Sequence, residues 1–524
     1  MADDPLSTLE IPWYRTPFFE RLILLALPPL GLLLVWTDFE RTRGRKIFIS
    51  IFTGFWLIPY LALLLFAAIG LDLLDLEFKG GDRPSIVRHR SGPDYLALEE
   101  DRRLRRAEDS ARAPSTNLAA QASSVSPAQL PAYWTDFRGP RRDGHYDERP
   151  ILTDWPIDGP PRLWRQPCGG GYASFVVAEG LAFTIEQRRD REIVVAYELD
   201  TGREVWTSSY EARFSEWMGG DGPRATPTYH DGFVYSLGAA GELRCLSASL
   251  GTVLWRRNLL DETGAQNLPY GLACSPLILG RSVIVLSGQG ANEQAVVAYD
   301  TLTGDRVWAT LSDTMAYASP ALVELAGRPQ LLLTTARRVL GLDPDTRAVL
   351  WDYRWEVPYN NAIAMPVLAG TNQLMISAGY GVGAALLEIR ALGNAFEADT
   401  LWRNRNLKNK FNPSVFWQGH FYGLDEGVLA CVNADSGARV WRDGRYQYGQ
   451  LLLAQGHLFV LAGDGELALV EATPRAFNEK HRLPALKGKT WNVPALAHGR
   501  LLLRNASEMT CFDLRPRRTD NPAP

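Results

Sequence analysis

Hydrophobic residues form two long runs near the start of the chain and short alternating runs afterwards. Residues 47–71 contain no charged side chain over 25 positions, more than the ~20 residues that a helix needs to cross a bilayer. An earlier apolar run, residues 22–36, has 15 positions and is interrupted by Pro28-Pro29. We interpret the two runs as transmembrane helices, so residues 18–71 are predicted to form a transmembrane helical hairpin.

The charges around these runs predict their orientation. The connecting loop, residues 37–46, carries Arg41, Arg43, Arg45 and Lys46, and Lys and Arg are enriched in cytoplasmic loops. We therefore expect a short extracytoplasmic tail over residues 1–17 and a periplasmic location for everything after residue 72. A cleaved signal peptide fits poorly, because no A-x-A site follows the first run. The prediction is a multi-pass protein of the inner (cytoplasmic) membrane.

Residues 72–130 are charged and then rich in Ala, Ser and Pro, which is typical of a linker. From residue 131 to 524 a different pattern begins. Eight strand pairs occur there, each an apolar run, a Gly-containing turn and a second run of β-branched or aromatic residues. After most pairs comes a unit of the type AYELDTGREVW, first seen at residues 196–206.

Copies of this unit end at regular intervals of about 36–53 residues. A period of 40–50 residues with four strands per unit is typical of a β-propeller blade. The first Trp lacks the half-unit before it, and residues 509–516 lack the Trp after them. We therefore predict an all-β, eight-bladed propeller closed by its N- and C-terminal strands. The repeat residues expected to pack between blades are Trp164, Trp206, Trp255, Trp308, Trp351, Trp402 and Trp441.

The A-x-D-x-x-T-G-x-x-x-W unit resembles the repeat of the pyrroloquinoline quinone (PQQ)-like propellers. That superfamily includes quinoprotein alcohol dehydrogenases and the outer-membrane barrel-assembly lipoprotein BamB. The resemblance covers residues 160–516. It implies the propeller fold and leaves two functions open, a BamB-like protein-interaction scaffold and a quinoprotein dehydrogenase.

Composition narrows the choice only slightly. The formal net charge is −4, so bulk charge gives no indication of a nucleic-acid partner. The five cysteines are single, without a C-x-x-C pair, so neither a zinc site nor a disulfide framework is indicated. A bond between Cys168 and Cys511 remains an open possibility, since both lie in the predicted closing blade.

The loops that connect the outer strand of one blade to the inner strand of the next, here called inlet loops, meet at one end of a propeller channel. We call that end the mouth. Its predicted binding residues are mainly aromatic and basic, which suits an anionic aromatic molecule or an acidic peptide. They are Tyr172, Arg224, Tyr270, Tyr317, Asn361, Lys408, Lys410, Tyr448, Lys489 and Trp491.

No catalytic constellation or metal cluster emerges, so the favoured interpretation is a membrane-anchored periplasmic scaffold that holds an envelope protein or peptide. Catalytic residues and cofactors are expected to be none. The alternative is a PQQ- and Ca²⁺-dependent oxidoreductase, or a binder of another anionic small molecule at the mouth. In the alternative, Asp425 and Glu426 are the candidate Ca²⁺ ligands, because Ca²⁺ prefers carboxylate oxygens.

Overall fold

The structure is a computed structural model that describes residues 16–38, 41–71, 73–77, 85–88, 96, 99–100, 102–104, 107, 130–393 and 395–516. Residues 1–15 of the predicted N-terminal tail and most of the predicted linker lie outside these residues. The chain folds as two compact units, residues 1–91 and residues 92–524. The first is mainly helical and the second contains the propeller.

The described residues of the first unit include three helices: α1 (Pro17–Ala26), α2 (Pro28–Thr37) and α3 (Arg43–Gly70). Residues 43–69 of α3 are long and apolar enough to cross a membrane, and α2 is a shorter apolar helix. The predicted apolar helices before the propeller are therefore confirmed. The first run is broken at Leu27, whose φ of −140° and ψ of 69° are not helical, because a residue before proline is disfavoured in the α region.

The short helices α1 and α2 fold back against each other at this break. A Cβ atom at Gly31 would lie 2.6 Å from the Cα of Leu24, so glycine permits the close approach. Arg41, just after α2, donates to the carboxylate of Glu20 near the start of α1. The indole N–H of Trp56 in α3 donates to the Leu25 carbonyl at 2.9 Å. A small hairpin, Leu74–Glu77 paired with Ser85–Arg88, completes the described part of this unit.

The second unit is a propeller of eight antiparallel sheets, as predicted. Each blade has four strands from the channel outwards, and one blade gains a fifth. Blade 1 contains Val176–Ala178, Leu181–Arg188, Arg191–Glu198 and Glu204–Glu211; blade 2 contains Thr228–His230, Phe233–Leu237, Glu242–Ser247 and Val253–Asn258; blade 3 contains Leu277–Leu279, Ser282–Leu286, Val296–Asp300 and Arg306–Thr310. Blade 4 contains Ala321–Leu325, Arg328–Thr334, Arg338–Leu342 and Val349–Arg354; blade 5 contains Val367–Leu368, Gln373–Ala378, Gly383–Leu392 and Ala395–Asn404. Blade 6 contains Val415–Trp417, His420–Asp425, Val428–Asn433 and Arg439–Arg445; blade 7 contains Gln450–Ala454, His457–Leu461, Glu466–Glu471 and Glu479–Pro484. A short helix, Leu259–Thr263, follows blade 2, and a 3₁₀ turn, Pro358–Asn360, precedes blade 5.

Blade 8 closes the ring with strands from both ends of the propeller. Ala495–Ala497, Arg500–Arg504 and Glu508–Asp513 are joined by the N-terminal strand Arg162–Pro167, with Cys511 opposite Trp164. This is the predicted closure, and it removes the free edge that an open sheet would expose. All five cysteines are buried free thiols.

The repeated Trp and Gly meet between neighbouring blades. Trp206 in blade 1 donates its indole N–H to the Ala248 carbonyl in a turn of blade 2 at 2.8 Å. In that turn Gly251 lies on the indole ring, with a φ of 69°. A Cβ atom there would be 2.5 Å from the ring. The same N–H bond is made at 2.7–2.9 Å by Trp164, Trp255, Trp402 and Trp441.

Two of the repeat tryptophans depart from this arrangement. Blade 4 has Arg347 where blades 1, 2, 3 and 6 have the turn glycine, and Arg347 adopts a φ of 64°. Its guanidinium lies 5.9 Å from the ring centroid of Trp308 in blade 3. Trp351 instead donates to the side chain of Gln330 within its own blade. The structural role predicted for these residues is thus achieved by different contacts.

Residues 130–151, here called the leader, close the channel at the end opposite the inlet loops. His145–Tyr146 pairs in parallel with the inner strand of blade 7 as its fifth strand. Arg142 is 5% exposed and donates to carbonyls of Pro276 and Pro320, in blades 3 and 4. Arg138 is 2% exposed and donates to the Pro413 carbonyl at 3.1 Å. Two buried guanidiniums therefore tie the leader to blades 3, 4 and 6, and the mouth is left as the open end.

Candidate functional site

A belt of buried polar side chains inside the channel forms the floor of the mouth. Each belt residue lies at the end of an inlet loop and bonds the backbone of a neighbouring blade. The amide of Ser174 donates to the Thr226 hydroxyl, and the amide of Thr226 donates to the Ser275 hydroxyl. The other members are Ser319, Asn412, Gln450 and Asn492. These bonds fix the positions from which the mouth side chains project.

The mouth side chains above the belt make ring, cation and hydrogen-bond contacts with one another, and we call this set of residues the mouth ring. Nine of the ten residues predicted for binding belong to it. Its members in order of contact are Arg224, Tyr172, Lys489, Trp491, Phe411, Tyr448, Lys410, Tyr380, Asn361, Tyr270 and Tyr317. The inlet loops therefore do bring these distant residues together.

One half of the mouth ring is built around Trp491. Its indole stacks on Tyr172 with a centroid distance of 5.5 Å and packs against Phe411 at 4.9 Å. The ammonium group of Lys489 lies 3.8 Å from the Trp491 centroid and donates to the Met218 carbonyl at 2.8 Å. The Arg224 guanidinium lies 5.5 Å from the Tyr172 centroid. Each cation is thus held over an aromatic face.

The other half is built around Lys410, which is only 8% exposed. Its ammonium group lies 4.4 Å from the centroid of Tyr380 and 5.1 Å from that of Tyr448. The amide of Asn361 donates to the Tyr380 hydroxyl at 2.9 Å. Tyr270 packs on Tyr317 at 5.6 Å. A buried ammonium group between two rings is a strong local source of positive potential.

Burial sets the protonation of the ring phenols. It raises the pKa of both Tyr172 and Tyr317 above the ordinary value of 10.0, so these hydroxyls stay neutral at physiological pH. Burial also lowers the pKa of Arg224 from its ordinary 12.5, but a guanidinium remains protonated at neutral pH. The mouth ring therefore combines neutral aromatic faces with positive charge.

Three amide oxygens next to the mouth ring have no hydrogen-bond partner among the described residues. They belong to Asn361, Asn412 and Asn492, which are 2%, 1% and 0% exposed. The amide nitrogens of the same side chains are bonded, to Tyr380, to Gly449 and to Ala173. A buried acceptor without a donor costs about 1–3 kcal/mol, so a ligand with N–H groups would gain by supplying donors here.

Lys408 is the one predicted binding residue outside the mouth ring. Its ammonium group pairs with Asp425 in blade 6. The second oxygen of Asp425 accepts from Arg442 at 2.7 Å and from Arg439 at 3.4 Å, and the residue is 1% exposed. Glu426 lies 4.0 Å from the same ammonium group.

These two carboxylates do not suit Ca²⁺, because cationic groups already occupy both Asp425 oxygens and would repel the ion. Among the residues that the structure describes, no group of three or more His, Cys, Asp or Glu side chains is arranged to hold a metal ion.

Sequence reasoning missed Phe411 in the mouth ring and the part of the blade 2 inlet loop over residues 214–218. Phe411 lies between Lys410 and Asn412 in an inlet loop, and this position in the sequence could have predicted it as a mouth residue. In the missed loop, Glu216 accepts from the Gly219 amide at 2.6 Å, and Met218 lies 4.0 Å from the Tyr270 hydroxyl. Trp217 is 71% exposed there, and Tyr359 is 81% exposed in the inlet loop of blade 5. Two large aromatic side chains therefore extend the mouth ring to its rim.

The fold and the mouth define the class of protein. It is an eight-bladed propeller, closed by its terminal strands, with a leader filling one end of the channel and an aromatic, cationic mouth at the other. The repeat contacts between blades are those of the A-x-D-x-x-T-G-x-x-x-W unit, and in both features the chain is similar to PQQ-like β-propeller repeat proteins.

Comparison with known proteins supports this assignment. A family model described as outer membrane protein assembly factor BamB matches residues 189–442. BamB from Bordetella pertussis is 21% identical over 283 residues, which are 52% of this chain and 65% of BamB. The match therefore spans less than two thirds of that relative.

Two solved enzymes share the fold. A europium-containing methanol dehydrogenase aligns with a TM-score of 0.55 and 12% identity, over 74% of this chain and 99% of the enzyme. The quinohemoprotein alcohol dehydrogenase from Comamonas testosteroni aligns with a TM-score of 0.53 and 14% identity, over 74% of this chain and 81% of the enzyme. Identities this low establish shape and leave activity to be argued from the site.

Proposed function

We propose that this protein is a membrane-anchored interaction scaffold of the cell envelope, and that its mouth binds an acidic segment of a partner protein. The single observation that carries the proposal is the mouth ring, which places three cationic side chains over aromatic faces at the open end of a closed propeller. Aromatic residues and Arg are the side chains that dominate binding energy in protein interfaces. The matching family model, that of BamB, supports the scaffold class.

A peptide suits the mouth better than a simple anion. Its carboxylates would meet Arg224, Lys410 and Lys489, and hydrogen bonds to charged groups each contribute about 1.5–3 kcal/mol. Its backbone N–H groups would supply donors to the partnerless amide oxygens beside the ring. The exposed Trp217 and Tyr359 lie at the rim, where apolar side chains of the partner would pack. One extended acidic segment thus meets every kind of group in the mouth.

The anchor in this proposal is the first unit, with α3 crossing the inner membrane. Arg41 and the basic residues in the first turn of α3 favour the cytoplasmic side for this end of the helix, so we propose that the propeller lies in the periplasm. The Bordetella pertussis relative is described as the outer membrane protein assembly factor BamB. We propose an envelope role of the scaffold kind for this chain, without catalytic activity of its own.

The direct test uses the full-length chain in detergent and a fluorescein-labelled peptide, (Glu-Ala)₄, with (Gln-Ala)₄ as the uncharged control. Fluorescence anisotropy should show saturable binding of the acidic peptide only, weakening as salt screens the charges. Lys489→Met should reduce affinity about tenfold or more, the effect of losing one charged contact of 1.5–3 kcal/mol.

The matched control is Lys487→Met, which removes an exposed lysine of the same inlet loop that is outside the mouth ring. It should leave affinity unchanged. Equal weakening by both variants would show that net charge alone attracts the peptide, and would contradict a built site. Absence of binding at millimolar peptide would contradict the proposal outright.

An anionic aromatic small molecule is the second candidate, because a flat ring with carboxylates could stack on Trp491 beneath Lys489. Titration of the same protein with PQQ, with and without Ca²⁺, separates the two candidates. Saturable one-to-one binding with dye reduction on addition of alcohols or sugars would establish a quinoprotein. Binding of PQQ without turnover, displaced by the acidic peptide, would support a shared anion site in a scaffold.

A further inference from the structure

The leader covers the inner edge of three blades through backbone hydrogen bonds. The amide of Val177 in blade 1 donates to the Trp134 carbonyl at 2.8 Å, and that of Tyr229 in blade 2 donates to the Thr135 carbonyl at 2.9 Å. In blade 7 the amide of Leu453 donates to the Gly144 carbonyl at 2.8 Å. This edge of the propeller therefore donates hydrogen bonds to an extended segment of backbone.

The covered amides occupy one register position, three residues after the belt residue of their blade. Val177 follows Ser174 by three, Tyr229 follows Thr226, and Leu453 follows Gln450. The same spacing from Ser275 and Ser319 leads to Ile278 in blade 3 and Leu322 in blade 4.

Strand register shows that these two amides also point to the channel. Leu279 faces Ser282 across the hairpin turn of blade 3, as Ala178 faces Leu181 in blade 1. In blade 4 the corresponding pair is Leu325 and Arg328. Hydrogen-bonded and non-bonded residue pairs alternate along an antiparallel ladder. A residue that lies an odd number of positions from the pair at the turn therefore has its amide on the outer side, away from its partner strand. Ile278 is one residue away and Leu322 is three.

A cavity of about 430 Å³ exposes this part of blades 3 and 4. Its walls are the leader, through Thr135, Asp136 and Arg142, and the inner strands, through Ile278 and Leu322. Leu322 is 42% exposed. In the described part of the chain, neither amide donates to a backbone carbonyl outside its own blade. The row of edge amides that the leader covers in blades 1, 2 and 7 is thus uncovered here.

We propose that this cavity is a second docking site, in which an extended peptide of a partner protein adds as a strand to the inner edge of blade 3 or blade 4. The peptide would accept from the Ile278 or Leu322 amide, as the leader does in the other blades. An apolar side chain at every second position would contact Leu277 and Leu322, because side chains on one face of a strand alternate. Strand addition to an exposed edge is an established mode of peptide recognition.

This site lies at the opposite end of the channel from the mouth ring, so it stands independently of the proposed acidic-peptide function. The two sites take different chemistry, since the mouth needs carboxylates and this edge needs backbone carbonyls. A scaffold with both could hold two segments at once.

The first test measures hydrogen–deuterium exchange of single amides in the full-length chain in detergent, by mass spectrometry with electron-transfer fragmentation. In the free protein, Ile278 and Leu322 should exchange at least about tenfold faster than Val177, Tyr229 and Leu453, which the leader protects. Equal protection of all five amides would show that the edge is already covered, and would overturn the proposal.

The second test adds a probe peptide of alternating Thr and Val flanked by Lys, Lys-(Thr-Val)₃-Lys. Its binding should slow exchange at Ile278 or Leu322 without changing Val177. A peptide with Pro in place of Val, which is a poor strand former, should give no protection. Protection confined to other regions, or no protection at millimolar probe, would overturn the proposal.

The variants Ile278→Pro and Leu322→Pro remove these outward amides one at a time, a change that edge strands accept. Removing the amide that pairs should weaken probe binding about three- to tenfold, the effect of one lost backbone hydrogen bond. Leu322→Lys, which keeps its amide and tests the apolar contact, guards against misfolding of the proline variants. Binding unchanged in all three variants would contradict strand addition at this edge.

Discussion

The contact between the turn glycine of one blade and the Trp of the blade before it offers a quantitative test of the repeat. At Gly251 an added Cβ atom would lie 2.5 Å from the Trp206 ring, whereas at Gly232 nothing lies within 4 Å. Both glycines have a positive φ, 69° and 83°. The pair therefore separates the steric contact from the backbone conformation.

The magnitudes follow from these two components. Alanine at a positive φ costs about 1–2 kcal/mol through clashes with its own backbone, and overpacking a tight contact adds about 1–3 kcal/mol. Gly232→Ala should then destabilise the propeller by about 1–2 kcal/mol and Gly251→Ala by about 2–5 kcal/mol. Trp206→Ala, a large-to-small change between blades, should cost about 3–5 kcal/mol.

The decisive measurement is a double-mutant cycle, read as free energies of urea unfolding by circular dichroism. In the Trp206→Ala background the ring is gone, so Gly251→Ala should cost only the 1–2 kcal/mol of the backbone component, about the same as Gly232→Ala. An equal cost of Gly251→Ala in both backgrounds would refute the argument that the indole ring requires glycine. Equal effects of the two glycine variants in the wild-type chain would refute it as well.

Three further predictions concern the leader and the membrane. Arg142→Met should destabilise the propeller by about 3–5 kcal/mol, because it removes a buried charge that pairs with Asp136 and donates to three carbonyls. Arg141→Ala, at a half-exposed neighbouring residue, should cost about 0–1 kcal/mol. Similar urea midpoints for the two variants would contradict the role of the leader in closing the channel. Burial alone would raise the pKa of Glu148, but hydrogen bonds from His498 lower it to about 2 from the ordinary 4.5. Because the folded pKa is depressed, the stabilisation is present above about pH 4.5 and lost as pH falls towards 2, so the deficit of Glu148→Gln should be full at pH 7 and vanish near pH 2 in urea titrations. A reporter fused after residue 131 should be active only on the periplasmic side; activity confined to the cytoplasm would reverse the proposed orientation.

Sequence periodicity predicted the blade count and the closure because a propeller repeats one local pattern. The spacing from Trp to Trp, and the split unit at Trp164 and Phe512, are visible without any tertiary information. Departures were harder to foresee. Arg347 replaces the turn glycine and still adopts a positive φ, and its guanidinium lies over the Trp308 ring of the preceding blade.

The mouth ring was predictable only as a set of residues on converging loops. Which side chains touch depends on where each loop turns, and the alternation of Lys410 with Tyr380 and Tyr448 arises from three different blades. Lys408, two residues earlier, pairs instead with Asp425. The role of the leader was not predictable from its sequence, because Arg138 and Arg142 look like surface residues until the channel is assembled around them.

Buried charge also changed the interpretation of the predicted linker. Arg102, in a charged segment that composition assigns to a linker, pairs with Glu186 of blade 1 at 3.1 Å, and Glu186 is fully buried. A segment rich in Arg and Glu is usually solvated, so only the position of Glu186 in the fold distinguishes this contact from a surface one.

Photocrosslinking in intact membranes shows directly whether the mouth holds a partner protein. A photoreactive phenylalanine at Tyr359, on the rim of the mouth, is compared with the same residue at Val349 on the outer strand of blade 4, which is 40% exposed. We expect a discrete adduct with one envelope protein at position 359, competed by (Glu-Ala)₄ and absent at position 349. Identical adducts at both positions, or an adduct at 359 that the acidic peptide does not reduce, would contradict a binding mouth.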